Sequence, residues 1–584
     1  MNVFQHIRTH LFEQIEILSN EGNGKKKPDL SSIRVEAPRN SSHGDLTTNA
    51  AMILAKQTNT NPVDLARVLS ERLALLDDVA LSEVAGPGFV NLRLTSEYWR
   101  SQLSTLLLAG SSYGESTLGE GLSINVEYVS ANPTGPLHIG HGRGAVVGDV
   151  IANMLEKMGY RVTREYYIND SGVQIEALAR SVFVRYQQAM GIEVSVLPDG
   201  FYPGEYLVPV GQQLANSEGD RWLLAPDVDW LDQFAAAGCK AMMTLIKNDL
   251  NDLGIRHNIF FSEKDVHQNG KTEETLSDLR LRGLIYEGVL DPPKGIKLED
   301  WEPRPQTLFR ATKFGDDLDR PLKKSNGDWT YFAADIAYHR DKFERGFSKM
   351  IDVWGADHGG YVKRMVAAVD AISNGQANLD VRICQLVNVL KGGVAVKMSK
   401  RAGDFVTLRE VIDQVGKDVV RYIMLTRRND APLDFDFAAV TEQSRDNPVF
   451  YVQYAHARGC SLLRRAIQVM PNMTINTHAL SSSELDRLIE PEEIELMKIL
   501  SFWPNVLESA ALAKEPHRLT YYLHEVASAF HGIWSRGDKH ASLRFIIANE
   551  PELSLARLAL VKGVLTVISG GLSIIGVQPV EELK

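Results

Sequence analysis

Residues 124–158 constrain the fold of this chain most, because they require a strand, a sharp loop and a helix in immediate succession. The alternating, β-branched residues 124–129 predict a strand. Two prolines and a glycine follow, and Pro136 prevents the strand from continuing. From Gly144 to Met158 the apolar residues recur at helical spacing. This strand–loop–helix order is typical of parallel α/β sheets.

The start of this helix predicts an anion site. The first N–H groups of a helix lack intrahelical partners and lie at the positive end of its dipole, so phosphate groups bind there. His138 and His141 stand at this point, and Gly140, Gly142 and Gly144 leave the backbone accessible to a ligand. We therefore expect a nucleotide at this junction.

The glycine pattern leaves a second kind of nucleotide open. Gly142, Gly144 and Gly148 follow a strand, and the acidic Glu165 comes about 20 residues later, as in dinucleotide-binding proteins. The last glycine spacing differs from that fingerprint, and the sequence contains no P-loop motif. A nicotinamide-dependent oxidoreductase remains an alternative.

Length and composition indicate a large protein of several domains. The 584 residues are enough for three or four cores, and the composition is that of a globular protein. Cys239, Cys384 and Cys460 are far apart, which predicts neither a disulfide framework nor a zinc site and fits a reducing cytoplasm. We expect no apolar run of membrane-spanning length and no signal peptide. The net charge of −11 permits only a local basic track for nucleic acid.

The chain divides into three predicted parts. Residues 1–112 form an α+β domain, and residues 113–445 form a parallel-sheet domain interrupted by an insertion at about 171–300. Residues 446–584 form an all-α bundle, because helical periodicity replaces strand signals there. The overall class is α/β.

Three local features refine the central domain. Residues 328–343 predict a strand followed by a helix, with Asp335 on the strand. Residues 383–404 predict a hairpin and a polar loop. The cluster of Asp316, Asp317 and Asp319 has no EF-hand spacing, so it indicates an acidic turn rather than a metal site.

Two signatures far apart in the chain point to one family. The stretch ANPTGPLHIGH at 131–141 holds His-Ile-Gly-His, and Lys-Met-Ser-Lys stands at 397–400. The stretches YINDSGVQ (167–174), WGADHGGY (354–361) and NPVFYVQYAHAR (447–458) narrow the match. With them, the chain resembles the arginyl-tRNA synthetases, which are class I aminoacyl-tRNA synthetases, over essentially its whole length.

The resemblance implies a Rossmann-like catalytic domain that activates L-arginine with ATP, releases pyrophosphate and transfers arginine to the 3′-terminal ribose of tRNA(Arg). Both steps build negative charge on oxygen atoms, so positioned cations and N–H donors carry the catalysis. The catalytic residues implied are His138, His141, Lys397 and Lys400. The ATP-binding residues implied are Ser130, Asn132, Thr134, Gly135, His138, Gly140, His141, Gly355, Asp357 and Met398.

A guanidinium pairs best with carboxylates, and the family's arginine-binding positions carry them here. The arginine-binding residues implied are Glu127, Asn132, Tyr331, Asp335 and Asp357. The tRNA-binding residues implied are Phe89 and Asn91 in the N-terminal domain, for the D-loop, and Tyr451, Tyr454 and Arg458 in the bundle, for the anticodon.

The family further implies a cytoplasmic monomer without a membrane partner, which requires bound tRNA before it activates arginine. Mg²⁺ would enter with ATP, and no dedicated metal site is expected. A catalytically idle, tRNA-binding relative is the other alternative, against which the intact His138, His141, Lys397 and Lys400 argue.

Overall fold

The computed structural model describes residues 2–21, 28–194, 197–290, 304–396 and 406–582. The strands are β1 (Val35–Glu36), β2 (Leu46–Thr48), β3 (Val79–Ala85), β4 (Phe89–Leu94), β5 (Ser123–Glu127), β6 (Arg161–Ile168), β7 (Ile259–Ser262), β8 (Ile285–Gly288), β9 (Gln306–Phe309), β10 (Arg320–Pro321), β11 (Lys349–Gly355), β12 (Asn378–Cys384), β13 (Val387–Lys391), β14 (Val394–Ala395) and β15 (Leu433–Asp436).

The α-helices are α1 (Val3–Glu21), α2 (Ala50–Thr58), α3 (Pro62–Leu73), α4 (Ser96–Ala109), α5 (Ile139–Lys157), α6 (Val173–Ala189), α7 (Val208–Glu218), α8 (Asp227–Asp252), α9 (Glu263–Gln268), α10 (Lys271–Leu281), α11 (Tyr331–Glu344), α12 (Val362–Ser373), α13 (Leu408–Val415), α14 (Lys417–Ile423), α15 (Phe437–Thr441), α16 (Pro448–Val469), α17 (Thr477–Ser481), α18 (Pro491–Ser501), α19 (Trp503–Ala513), α20 (His517–Lys539) and α21 (Pro551–Ile574).

The N-terminal part combines an antiparallel sheet with helices. Its strand order is β1-β2-β4-β3, and α1 to α3 cover it. Local sequence explains the helix starts: Asn61 accepts a hydrogen bond from the Val63 N–H just before Pro62, and Thr95 caps α4 in the same way. α4 packs on α17, α18 and α21, which anchors this part to the C-terminal helices.

The central sheet is parallel and has the order β12-β11-β5-β6-β7. From β5, the chain first adds β6 and β7 on one side of the sheet and later adds β11 and β12 on the other side. The strand order therefore reverses between β5 and β11. Ligands of such sheets bind outside the carboxyl ends of the strands at this reversal. The predicted strand–loop–helix unit corresponds to β5 and α5, with α5 beginning at Ile139, before the predicted Gly144.

Two expectations for the central domain are wrong. β7 lies within the predicted insertion but completes the parallel sheet beside β6, so α6 to α8 belong to the connection between two neighbouring strands. Asp335 lies on α11, which begins at Tyr331, and not on a strand. A short stretch of aromatic and apolar residues fits the period of a strand as well as that of a helix. Here the packing of α11 against α10 and α12 favours the helix.

The C-terminal part is a bundle built from α16 to α21, as predicted from the change in periodicity. α21 is long and apolar enough to span a membrane, with a mean hydropathy of 1.6, which contradicts the expectation that no segment reaches that length. Its most apolar window is 72% buried in the protein, because α4, α16 and α20 pack around it. The helix therefore forms the core of the bundle.

One buried arginine joins the bundle to the central domain. Arg421 on α14 donates from Nε to the Ile575 carbonyl over 2.6 Å, from Nη1 to the Leu253 carbonyl over 3.1 Å, and from Nη2 to the carboxylate of Asp149 on α5. It is 1% exposed. Because a planar guanidinium fixes three directions at once, this contact sets the position of the bundle relative to α5.

Candidate active site

A cavity of about 440 Å³ opens at the carboxyl ends of β5, β6 and β11, where the order of the sheet reverses. Four carboxylates line it: Glu127, Glu263, Asp335 and Asp352. They come from four elements, β5, α9, α11 and β11. Buried carboxylates are costly without a cation, so the cavity is suited to a positively charged ligand.

A buried lysine lies beneath the cavity and pairs with two of its carboxylates. Lys342 on α11 is 0% exposed and donates to Glu127 Oε2 over 2.6 Å and to Asp352 Oδ1 over 3.1 Å. Tyr338 donates to Glu127 Oε2 over 2.9 Å, and His339 Nε2 lies 3.0 Å from Asp352 Oδ2. Burial alone would raise the pKa of Asp352, but Lys342 and His339 outweigh it and hold that pKa well below its ordinary value.

Asp335 has a different environment on the wall of the cavity. Its Oδ2 accepts a hydrogen bond from the Tyr361 hydroxyl over 2.6 Å. Burial raises the pKa of Asp335 to about 6, with a further upward contribution from Glu127 and Asp352, although Tyr361 and His339 lower it. A cation in the cavity would favour the ionised form of this carboxylate.

Glu263 and Tyr167 are among the cavity residues that the sequence analysis missed. Glu263 begins α9 directly after β7, and Tyr167 lies near the end of β6. Burial raises the pKa of Glu263 to about 7; Ser171 lowers it through a hydrogen bond, and the charges of Asp335 and Asp170 raise it. The signal for Glu263 was its place directly after a strand, but β7 lay within the predicted insertion and was not recognised.

The loop after β5 has a strained backbone at the cavity edge. Val129 and Ser130 adopt positive φ angles of 73° and 39° without being glycines, which is unfavourable above all for the β-branched Val129. Ser130 Oγ donates to Glu127 Oε1 over 2.9 Å and accepts from the Tyr167 N–H over 3.0 Å. These bonds fix the loop and aim Ser130 at the cavity.

His138 and His141 form the cap of α5. The His138 side chain accepts a hydrogen bond from the His141 N–H, and His141 Nδ1 accepts from the His138 N–H, each over 3.3 Å. Their rings stack at 3.6 Å with an interplanar angle of 14°. The arrangement presents two imidazoles at the positive end of a 19-residue helix.

The described residues on either side of the lysine signature contact the hairpin and the start of α5. Val396 pairs with Val389 on the hairpin, and Thr407 forms a β-bridge with His138. The Leu408 N–H donates to the Leu137 carbonyl over 2.7 Å. Lys397, Met398 and Lys400 lie outside the described residues.

Of the remaining residues predicted to bind ATP and arginine, only some line the cavity. Asn132, Gly355 and Tyr331 line the cavity, and Tyr331 is 58% exposed at the start of α11. Asp357 does not line it; its carboxylate is 81% exposed and lies 3.4 Å from His358 Nε2.

Thr134 and Gly135 lie buried in the loop before α5, and Gly140 lies in the first turn of that helix. The Tyr206 hydroxyl donates to the Thr134 carbonyl over 3.0 Å. A Cβ at Gly135 would stand 2.8 Å from that hydroxyl. Close packing therefore accounts for this glycine.

Two glycines of the pattern have packing roles, which argues against the dinucleotide alternative. Gly142 and Gly148 lie within α5, where an added Cβ would come within 2.8 Å of Leu408 and 2.3 Å of Tyr128. Glu165 is 0% exposed and accepts two hydrogen bonds from Arg345 and one from Asn125. It is therefore engaged inside the protein and does not face a ribose.

The acidic turn at 316–319 is engaged within the protein. Asp316 accepts two hydrogen bonds from Arg320, Asp317 pairs with Lys363, and Asp319 accepts from Thr312 and Tyr286. Within the described ranges, no group of three or more His, Cys, Asp or Glu side chains is placed to hold a metal ion.

The predicted tRNA-binding residues lie in two separate parts of the protein, the N-terminal sheet and the C-terminal bundle. Phe89 is half-buried at the start of β4, and Asn91 is 8% exposed in the same strand. Tyr451, Tyr454 and Arg458 follow one another on α16 at helical spacing.

Arg458 is held between aromatic rings on α16 and α20. Its guanidinium carbon lies 4.3 Å from the Tyr454 ring centroid and 4.4 Å from that of Trp534, and Nη2 donates to the Tyr454 hydroxyl over 2.6 Å. Tyr451 stacks on His524 at 4.9 Å. Gln453 and His456, on the same helix, are buried and bind the carbonyls of Gln578 and Val580.

Comparison with known proteins identifies similar sequences along the whole chain. Family models match residues 5–94 (arginyl tRNA synthetase N terminal domain), 102–205 (tRNA synthetases class I (R), catalytic domain) and 452–583 (DALR anticodon binding domain). The chain is 53% identical to the arginine–tRNA ligase of Rhodospirillum rubrum and 55% identical to that of Azorhizobium caulinodans, each over 100% of both chains.

A solved structure supports the fold. The arginyl-tRNA synthetase of Thermus thermophilus superposes with a TM-score of 0.73 at 20% identity, covering 98% of this chain and 99% of that one. The three-part architecture described above therefore occurs in a protein whose sequence has diverged widely.

Proposed function

We propose, for a chain that belongs to the arginyl-tRNA synthetase family of class I aminoacyl-tRNA synthetases, that the acidic cavity is the arginine site and that ATP binds beside it at the start of α5. The reaction follows from the family: arginine is activated with ATP, pyrophosphate is released, and arginine is joined to tRNA(Arg). The observation that carries the assignment of the cavity is its acidic lining at the reversal of a parallel sheet.

The arginine side chain would enter with its guanidinium toward Glu127 and Asp335. Burial raises the pKa of Asp335, and the planar fork of N–H donors would stabilise its ionised form with two hydrogen bonds. Tyr331, half-exposed at the mouth, would cover the aliphatic stem, and Asn132 and Asp357 would hold the α-amino or carboxylate end. The amine of Lys342 donates to Glu127 Oε2 over 2.6 Å and so supplies a buried countercharge beside it.

ATP would place its phosphates against the N-terminus of α5, with Ser130, Asn132, Thr134, Gly135, Gly140, Gly355 and Asp357 contributing to its binding. His138 and His141 would donate to the phosphate oxygens as the arginine carboxylate attacks the α-phosphate. Lys397 and Lys400, on the segment that joins β14 to the His138–Thr407 bridge, would stabilise the pyrophosphate, with Met398 beside the nucleotide. Mg²⁺ would be carried in with ATP, since phosphate oxygens supply its preferred ligands.

The tRNA would be held at both ends of the chain. Phe89 and Asn91 would contact the D-loop, and the aromatic and cationic group of Tyr451, Tyr454 and Arg458 suits unstacked anticodon bases. The matching of residues 452–583 to an anticodon-binding family supports the second contact. We further propose a monomer that works in the cytoplasm without a membrane partner; the three free cysteines fit that compartment.

ATP–pyrophosphate exchange with each of the twenty amino acids, with and without total tRNA, tests these assignments. We expect exchange with arginine alone, and only when tRNA is present. Exchange with another amino acid would overturn the assignment of Glu127, Tyr331 and Asp335. No exchange under any condition would indicate the idle relative, which tRNA binding would then test.

A further inference from the structure

We propose that Arg143 is a positioning residue for the ATP site, because it fixes the histidine cap of α5 to the sheet β14-β13-β15 and brings a charge without a carboxylate partner close to the phosphates. This role rests on the proposed ATP site at the start of α5. Arg143 is the fifth residue of that helix, two positions after His141, and it does not line the acidic cavity.

The side chain of Arg143 is buried and donates to three backbone carbonyls. Nη1 donates to the carbonyls of Gln385 and Ala431 over 2.9 and 2.8 Å, respectively, and the residue is 0% exposed. Nη2 donates to the carbonyl of Arg428 over 2.8 Å. Gln385 lies directly before β13, and the other two carbonyls lie before β15. The planar guanidinium therefore joins α5 to the starts of two strands.

No carboxylate among the described residues binds Arg143, and no partner there reaches its Nε. Burial lowers the pKa of Arg143, while Cys384 and Asp430 act in the opposite direction. Arg421 and Lys342 are comparably buried, but each of them binds a carboxylate. Because a buried charge without a counterion is costly, its presence indicates a charge that the protein uses at this place.

The position of this charge suits an anionic ligand. Arg143 lies close to the N-terminus of a 19-residue helix, where the dipole favours negative charge, whereas cations are favoured at the opposite end. Phosphate groups at the cap formed by His138 and His141 would supply the negative charge that the protein itself does not provide there.

The strands that Arg143 joins to α5 form a small sheet that is also fixed at its other end. β13 runs parallel to β15 and pairs with β14 in a hairpin. At the turn of this hairpin, the N–H groups of Gly392 and Gly393 donate to the carboxylate of Asp436 over 3.0 and 2.6 Å. Arg143 and Asp436 thus hold β13 from opposite ends, and the lysine signature at 397–400 follows β14 in the sequence.

The residues after the signature pack on α5 as well. The Leu408 N–H donates to the Leu137 carbonyl over 2.7 Å, and a Cβ at Gly142 would come within 2.8 Å of the Leu408 side chain. The start of α5 therefore contacts the described residues on both sides of the signature, with Arg143 as the polar link on the first side. A misplacement of about 1 Å can slow an enzyme about 100-fold, so this link bears on the rate.

The test uses the full chain in tRNA charging, with two changes at Arg143. Arg143→Lys keeps the charge but loses the planar fork, whereas Arg143→Met keeps most of the stem and loses both the charge and the donors. Both should lower kcat at least about tenfold, because the hairpin is no longer held in place. The KM for arginine should stay within about twofold, since Arg143 does not line the cavity.

Inhibition of charging by pyrophosphate and by adenosine separates the charge of Arg143 from a merely structural role. Adenosine carries no phosphate, so a cation near the phosphate site acts on pyrophosphate alone. Arg143→Met should raise the inhibition constant of pyrophosphate about tenfold and leave that of adenosine within about twofold. Arg143→Lys, which retains the charge, should raise the constant for pyrophosphate much less.

Arg557→Lys is the matched control. Arg557 is 3% exposed on α21 and, like Arg143, donates from Nη1 to two carbonyls, those of Ser542 and Arg544. Its replacement should lower the unfolding midpoint but leave kcat and both inhibition constants unchanged.

Asp436→Ala tests the same sheet from the turn of the hairpin and serves if the Arg143 variants do not fold. It should lower kcat in the same direction as Arg143→Lys, because the N–H groups of Gly392 and Gly393 lose their acceptor. An unchanged kcat in this variant would overturn positioning through the hairpin.

The outcomes distinguish the two levels of the assignment. A wild-type chain that charges no arginine overturns the proposed function and the role of Arg143 with it. A wild-type chain that charges arginine, with Arg143 variants whose kcat and ratio of inhibition constants are unchanged, overturns the role of Arg143 alone. The same follows if Arg143→Lys and Arg557→Lys lower the unfolding midpoint and kcat alike, since Arg143 would then serve stability only.

Discussion

The amine of Lys342 lies 2.6 Å from Glu127 Oε2, with both groups buried beneath the floor of the acidic cavity. The same amine binds Asp352. One internal cation thus balances two carboxylates that belong to different strands, and it links α11 to β5 and β11. Of the four cavity acids, Asp335 and Glu263 have raised pKa values, so these are the two whose ionisation a bound arginine would favour.

Replacing Lys342 by methionine is expected to destabilise the protein by about 3–5 kcal/mol, because it leaves Glu127 and Asp352 buried without their cation. Thermal unfolding measures the loss. Lys363→Met is the matched control: its ion pair with Asp317 is 2.9 Å long but both side chains are mostly exposed, so about 0–1 kcal/mol is expected. Equal unfolding midpoints for the two variants would contradict a structural role for the buried lysine.

Arginine binding should weaken as the pH falls. The raised pKa values mean that Glu263 becomes neutral below about 7 and Asp335 below about 6, while the guanidinium stays positive. The arginine KM should therefore rise through two protonations as the pH falls to 5. Lys342 and His339 hold the pKa of Asp352 well below its ordinary value, so this acid stays outside this range.

Asp335→Asn provides the decisive comparison. It should raise the arginine KM at least about tenfold at neutral pH, and it should remove the protonation near pH 6 from the profile. Measuring the KM for ATP over the same range separates this effect from general loss of activity. An unchanged profile in the variant would assign the protonation to another group.

Periodicity was enough to predict the main fold because the decisive elements are long and regular. α5, β6 and the bundle helices each follow one period over many residues, and the five-residue β5 is marked by the loop and helix that follow it. The wrong predictions concern segments that are short or whose sequence fits both a strand and a helix. β7 has four residues, and residues 328–343 fit a strand or a helix until packing decides.

The site was predictable where a motif marks it and not where only packing does. The helix start led to the prediction of His138 and His141, and the resemblance to a family led to that of Glu127 and Asp335, which line the cavity. Tyr167 and Glu263 belong to no such pattern, because their proximity depends on β6 and β7 being neighbours in the sheet. The same limit applies to Lys342, which lies two turns from Asp335 on α11.

Two glycines of α5 should respond oppositely to alanine. At Gly148 an added Cβ would come within 2.3 Å of Tyr128, so Gly148→Ala should cost about 1–3 kcal/mol through overpacking. At Gly144 nothing lies within 4 Å, so Gly144→Ala should stabilise the helix by about 0.5–1 kcal/mol. Thermal unfolding compares the two. If Gly144→Ala raises the unfolding midpoint but raises the KM for ATP, a ligand must approach the backbone at this position, and unchanged KM values would exclude that approach.

Arg458 is expected to bind tRNA through its guanidinium, which lies against the aromatic rings of Tyr454 and Trp534. Arg458→Met keeps most of the stem while removing the charge, so it should weaken tRNA binding and reduce the slope of log K against log salt by about one. Binding titrations at several salt concentrations measure both quantities. Arg445→Met removes a more exposed charge from the loop before α16, where Arg445 pairs only weakly with Asp446 at 4.0 Å, and should change neither. If Arg458→Met lowers the unfolding midpoint but leaves the salt slope unchanged, Arg458 serves the packing of α16 on α20 and not the RNA.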